Sequence, residues 1–344
     1  MNDADLSSNA APIAAARQRS YQTFALRAGL GAAVIGVMLW RFNPRPVLRA
    51  LGHERPGYFA AAIALYLAGQ VMSSWRWQLL ARLNAIGGRW REYLAYYFVG
   101  VFTNLFVPGL IGGDAARALY LGRRHDRIAA AIASVVADRL VGLIALFWFA
   151  AVAVLTLGAV ALPPAIVRPT VIAGGAALAG WLMAPIAARI VPRLGLRVAS
   201  FTDPVLPYLR RPLATVPAII LSLILQASLA GCQYLLALGL GLKLPLAAFM
   251  LCVPIANVFA SLPLTLNGLG VREAAYLVLF GYAGVAKPDT IALGLLWFAS
   301  TMIGGLSGIL AFVTTKMPAP PIAAGNPITT SVPRVTSAPG DRLI

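Results

Sequence analysis

Apolar runs long enough to cross a bilayer recur along this chain, and they constrain its fold more than any other feature. They fall at about 22–40, 57–80, 93–111, 128–158, 166–188, 213–240, 245–266, 273–284 and 290–314. A helix rises about 1.5 Å per residue, so about 20 apolar residues span the hydrocarbon core. Only helices and closed barrels satisfy their backbone inside lipid, and runs of this length are helical. Composition agrees: 60% of residues are hydrophobic and 11% charged, whereas soluble domains carry roughly 25% charged residues. A soluble enzyme, a disordered chain and a disulfide-stapled secreted domain are excluded. The expectation is an all-α polytopic membrane protein.

Two runs do not cross comfortably. The run at 93–111 ends at Pro108-Gly109 and Gly112-Gly113, and 245–266 breaks at Asn267-Gly268-Leu269-Gly270. Proline removes an amide donor and glycine permits positive φ, so a helix ends there. Counting basic residues in loops does not separate nine plain crossings from six full spans with two re-entrant hairpins. We adopt the second topology, a weak inverted repeat whose hairpins enter from opposite faces, because it brings both breaks to mid-membrane. Residues 1–20 read as a flexible arm, 21–316 as the membrane domain and 317–344 as a disordered Pro-rich tail. The expected setting is the inner membrane, with a cytoplasmic C-terminus.

The formal charge of +17 comes from 28 Lys and Arg against 11 acids. The bases sit mainly between apolar runs, so anionic headgroups, not nucleic acid, are the natural partner. Cys232 and Cys252 lie inside apolar runs and read as small buried hydrophobes. His53 and His125 lie far apart, with no metal spacing, and no P-loop or dinucleotide fingerprint is present. No catalytic constellation and no cofactor are expected.

The two breaks resemble each other. Pro108-Gly-Leu-Ile-Gly-Gly-Asp114-Ala-Ala-Arg117 and Pro263-Leu-Thr-Leu-Asn267-Gly-Leu-Gly-Val-Arg272-Glu273-Ala-Ala-Tyr276 both run proline, glycine turn, acid, Ala-Ala. Each acid falls on the first turn of the following helix, where free amides favour negative charge. Asp114 and Glu273 are therefore either interfacial helix caps or cavity-facing site residues, and the expense of charge at membrane depth favours the second. Asp138 and Arg139 sit inside the run 128–158 and point about 100° apart on a helix. Arg139 is expected to reach Asp114 or Glu273, either as a bundle tie or as part of a headgroup site. Arg117 and Arg272 flank the acids and either snorkel to the interface or meet a lipid phosphate. Arg76, within Ser74-Trp75-Arg76-Trp77, has the same two readings, and these tryptophans with Trp90 read as an aromatic belt. Asn104 and Asn267 are placed to bond exposed backbone at the breaks.

Taken in order, these motifs resemble the lysylphosphatidylglycerol synthase transmembrane-region family, over about residues 22–315. The resemblance implies an inner-membrane lipid translocator, or flippase, with Asp114, Arg139 and Glu273 as functional residues. It leaves the lipid open: phospholipid, glycolipid or an isoprenoid- or hopanoid-linked lipid. The family's full-length synthase carries a soluble aminoacyltransferase domain; here a short tail follows Lys316, which argues against lipid aminoacylation and for a non-enzyme. The alternative function is an accessory protein that docks a lipid-modifying enzyme or glycosyltransferase. A membrane-embedded transferase or hydrolase is a third option, weakened by the missing constellation.

Overall fold

The computed structural model describes residues 45, 49, 52, 54–106, 111–158, 160–190, 203–260 and 271–315. The apolar run at 22–40, the arm at 1–20, the tail from 317 and Asn267 lie outside these residues. Every regular element among the described residues is helical, as expected.

Two units share one plan: a long helix, a broken hairpin, a long helix. The first comprises α1 (Pro56–Leu83), α2 (Trp90–Phe106), α3 (Ile111–His125) and α4 (Ile128–Thr156). After α5 (Pro164–Ile190), the short α6 (Leu206–Arg210) and a 3-10 turn (Pro212–Thr215), the second begins. It comprises α7 (Val216–Gly239), α8 (Leu246–Ala260), α9 (Val271–Tyr282) and α10 (Lys287–Leu306), followed by α11 (Gly308–Thr314). Four helical segments meet the length and hydropathy of a membrane span: 128–156, 164–190, 212–239 and 287–314. Helix α1 has 28 residues, about 42 Å at 1.5 Å per residue, so it too is long enough. The hairpin helices have 17, 15, 15 and 12 residues, each short of the roughly 20 a crossing needs.

Side-chain register shows that α2 and α3 turn back on each other. Asn104 meets Gly113, Tyr96 stacks with Tyr120, and Glu92 pairs with Arg124, each step moving symmetrically away from the break. Gly100 and Gly113 make the close approach possible, since a Cβ on Gly113 would run into the Gly100 carbonyl and the Asn104 side chain. In the second hairpin Phe249 stacks on Phe280, and the Cys252 thiol points at the Leu279 carbonyl.

Connectivity sets the hairpins on opposite faces. The end of α1, both ends of the first hairpin and the starts of α4 and α7 share one face. Short links and the Asn84–Tyr208 and Arg127–Ala85 hydrogen bonds hold them there. The end of α7, both ends of the second hairpin and the starts of α1 and α10 share the other, where Arg55 N–H bonds the Gly239 carbonyl. The two units also use one stop device. A left-handed residue follows α1 (Ala85), α3 (Asp126), α7 (Gly241) and α9 (Gly284). The next amide in each case bonds a carbonyl five residues back, the Schellman closure.

Helix α1 lies antiparallel on α7, with Gly69 beside Leu225 and Leu65 beside Gly231. Around this pair an alanine-rich core forms, anchored by Phe249, Tyr276, Phe280 and Trp297. Large apolar side chains such as Leu155, Ile172, Leu182 and Val313 point outward, as a lipid-facing surface requires. Trp77 departs from the aromatic-belt reading: it is fully buried and donates its indole N–H to Ser134 Oγ (3.1 Å), while neighbouring Trp75 is half-exposed. The free cysteines Cys232 and Cys252 are buried.

Candidate functional site

The first hairpin tip carries Asp114 and Arg117, α4 carries Asp138 and Arg139, and α1 carries Arg76. Asp138 is ten residues into the 29-residue α4, about 15 Å along its axis at 1.5 Å per residue, well inside the apolar span. These five side chains form one alternating chain of charge. Arg76 Nε donates to Asp138 Oδ1 (2.8 Å), and Arg117 Nη1 donates to Asp138 Oδ2 (3.1 Å). Arg117 Nε donates to Asp114 Oδ1 (3.0 Å). Arg139 forks onto both oxygens of Asp114, Nε to Oδ2 at 2.7 Å and Nη2 to Oδ1 at 3.0 Å.

The two carboxylates differ in surroundings. Asp138 is 1% exposed and is shared by two guanidiniums, so its charge is fully matched inside the bundle. Arg117 is also buried, sandwiched between Trp77 (5.0 Å) and Tyr97 (5.2 Å), a favourable cation–π setting. Arg76 Nη1 additionally donates to Ser222 Oγ on α7 (3.0 Å), tying the two units together. By contrast, the Arg139 side chain is 44% exposed and Asp114 17%. The outer pair is the accessible end of the chain.

Two chambers, each with charged and amide side chains in a largely apolar wall, and one apolar groove meet at that pair. The first chamber, about 460 Å³, is lined by Arg76, Asp114, Asp138 and Arg139 with Gln70, Ser73 and Gln226. The second, about 370 Å³, shares Tyr66, Gln70, Tyr97, Arg139 and Gln226 with it and continues to Asn104, Asn257, Arg272 and Trp297. The groove, about 480 Å³, runs between α3 and α4 from Asp114 and Arg139 along Leu119, Ile132, Val136 and Leu140. Those four apolar side chains are exposed and face outward.

Of the residues singled out in the sequence, Arg76, Asp114, Arg117 and Arg139 are thus brought together, and Arg272 joins them across the second chamber. Between the two partners considered for Arg139, the geometry selects Asp114. Glu273 stands apart: it is buried on α9 with its side chain against Gly294 of α10 and does not line either chamber. Of the two hairpin acids read as cavity-facing, Asp114 lines the first chamber and Glu273 lines neither; at the second tip the neighbouring Arg272 lines the second chamber. Asn104 Oδ1 accepts the Gly113 N–H (2.8 Å), fastening the first tip. Sequence reasoning missed Asp138 as the central tie, and also Tyr66, Gln70, Ser222 and Gln226. Their signal was present as polar residues spaced three or four apart within apolar spans. No group of residues among those described could hold a metal ion.

A family model for the lysylphosphatidylglycerol synthase TM region matches residues 24–308. The chain belongs to this family. That match spans both units and every residue of the charge chain, and the family is a membrane domain associated with lipid-related functions. No curated protein and no solved structure matches the chain.

Proposed function

We propose that this member of the family translocates a polar-headed lipid across the inner membrane. The headgroup travels through the two chambers while an acyl chain stays in the groove between α3 and α4. One observation carries this reading: two chambers whose walls carry charged and amide side chains and an apolar groove converge on a single partly exposed ion pair, Arg139–Asp114. A site with a charged head and a greasy track has the shape of an amphiphile. Opening that pair is expected to cost less than opening the buried Arg76–Asp138–Arg117 core, because Arg139 is 44% exposed while Asp138 is 1% exposed. The core holds the hairpin while the outer pair exchanges partners with the headgroup. The face bearing Arg82, Arg89, Arg91, Arg123, Arg124 and Arg127 is assigned to the cytoplasm by its basic excess, which puts the C-terminus there too. The chain acts as a non-enzymatic carrier with no cofactor.

The test is headgroup translocation in vesicles, measured by quenching a fluorescent lipid from outside. Wild type is expected to exceed protein-free vesicles. Asp114→Arg and Arg139→Asp are each expected to lose at least tenfold of the added rate, and the double reversal to regain part of it. A wild-type rate equal to protein-free vesicles, or unchanged single reversals in folded protein, would overturn the proposal.

A further inference from the structure

We infer that the second chamber is a phosphate site that rejects a cationic headgroup, so the lipid carried is anionic. This rests on the translocation reading above and adds the substrate class. The observation is an imbalance between donors and acceptors. Arg139 and Arg272 both line this chamber, and Arg272 has no ion pair among the described residues. Its Nε and the indole Nε1 of Trp297 are buried donors that meet no acceptor among the described residues, and Trp297 is 4% exposed. Two guanidiniums and an indole N–H thus converge with nothing negative among the lining residues.

Asp114 balances Arg139, but no carboxylate among the chamber's lining residues balances Arg272. Asp114 and Asp138 line only the first chamber and are already shared by three arginines, and Glu273 is turned toward Gly294. Buried donors without partners are costly, and a phosphate offers acceptors only, which arginine forks match in two-point fashion. An ammonium would bring more donors and a like charge into a low-dielectric space already holding two guanidiniums. The carboxamides of Asn104, Asn257 and Gln226 both donate and accept, which suits hydroxyls next to the phosphate. The chemistry that fits is a phosphodiester or phosphomonoester with an uncharged, hydroxyl-bearing remainder.

The experiment is isothermal titration of the detergent-solubilised full chain with dihexanoyl-phosphatidylglycerol, with its lysyl ester and with inorganic phosphate. The anionic lipid is expected to bind at least tenfold more tightly than the lysyl ester. Arg272→Gln is expected to weaken it at least tenfold, Arg272→Lys to restore part, and Trp297→Phe, which keeps the ring but loses the N–H, to weaken it about threefold. Circular dichroism and thermal unfolding identify variants that remain folded. Equal binding of the lysyl ester, or an unchanged affinity in folded Arg272→Gln, would overturn the inference. Competition by inorganic phosphate at the lipid's own concentration would overturn the lipid assignment in favour of a free-phosphate site. Vesicle translocation separates the two proposals. Expected binding without translocation sinks the carrier reading and leaves the phosphate site standing, whereas equal translocation of both lipids sinks only the phosphate selectivity.

Discussion

Asp138→Asn and Asp114→Asn should part company, because the first aspartate is buried between two arginines and the second lines the proposed route. Asp138 is 1% exposed and accepts one bond from Arg76 and one from Arg117. Neutralising it strands two guanidiniums that the surrounding core cannot hydrate. Removing one partner of a buried ion pair costs about 3–5 kcal/mol, and the same mutation slackens the α1–α3–α4 junction. At about 2–4 °C per kcal/mol, the midpoint should fall by roughly 6–20 °C. Asp114→Asn keeps an oxygen for Arg117 and leaves Arg139, already 44% exposed, free to reach water. Its loss of midpoint should be less than half that of Asp138→Asn, because Arg117 keeps Asp138 as a partner, while translocation falls at least tenfold. The native thiols provide the assay. Cys232 and Cys252 are both 0% exposed, so a maleimide dye that fluoresces on thiol capture reports unfolding without added probes. Equal midpoint losses, or a loss under about 3 °C for Asp138→Asn, would refute the division of labour.

Other expectations follow from packing. Gly113→Ala should spread the first hairpin, because its Cβ would strike the Gly100 carbonyl and Asn104; a loss of at least about 2 kcal/mol is expected, whereas Gly175→Ala, with nothing within 4 Å, should be neutral on the same thermal assay. Trp77→Phe removes the bond to Ser134 and the best ring over Arg117, and should lower stability by about 1–2 kcal/mol without altering the far-ultraviolet spectrum. Gly241→Cys and Asp126→Cys lie on opposite faces, so an impermeant thiol reagent added to intact cells should modify the first alone; labelling of both from outside would contradict opposed hairpins.

The fold was legible where chemistry is local. Pro108-Gly109 and Asn267 to Gly270 signal helix breaks with no knowledge of neighbours, so two broken hairpins were expected from the chain itself; Gly112 and Gly113, read as part of the first break, lie inside α3 instead. The acid after the first break also announced a site, since Asp114 sits on a first helical turn whatever packs around it. What stayed hidden depends on partners distant in sequence. Asp138 binds Arg76 and Arg117, 62 and 21 residues away, and nothing in its own run says which way it points relative to Arg139. At the second tip the ambiguity is one of phase. Arg272 and Glu273 are adjacent and project about 100° apart, so a small rotation of α9 decides which enters the cavity; close packing against Gly294 holds Glu273 away from it. Trp77 misled for a related reason: Ser-Trp-Arg-Trp looks like an interfacial belt, yet its depth is set by Ser134 and Arg117 across the bundle.

Central to all of this is a hydrated, charged chamber at mid-membrane between hairpins that enter from opposite sides. Gln70, on the wall of both chambers, reports on it directly. In reconstituted bilayers of Cys232→Ser/Cys252→Ser protein, Gln70→Cys should react with a small charged thiosulfonate, which needs water to ionise the thiol. Val278→Cys, on the outward face of α9, should stay unreacted. Equal inertness of both cysteines in folded protein would mean that no wet chamber exists and that a headgroup has no path.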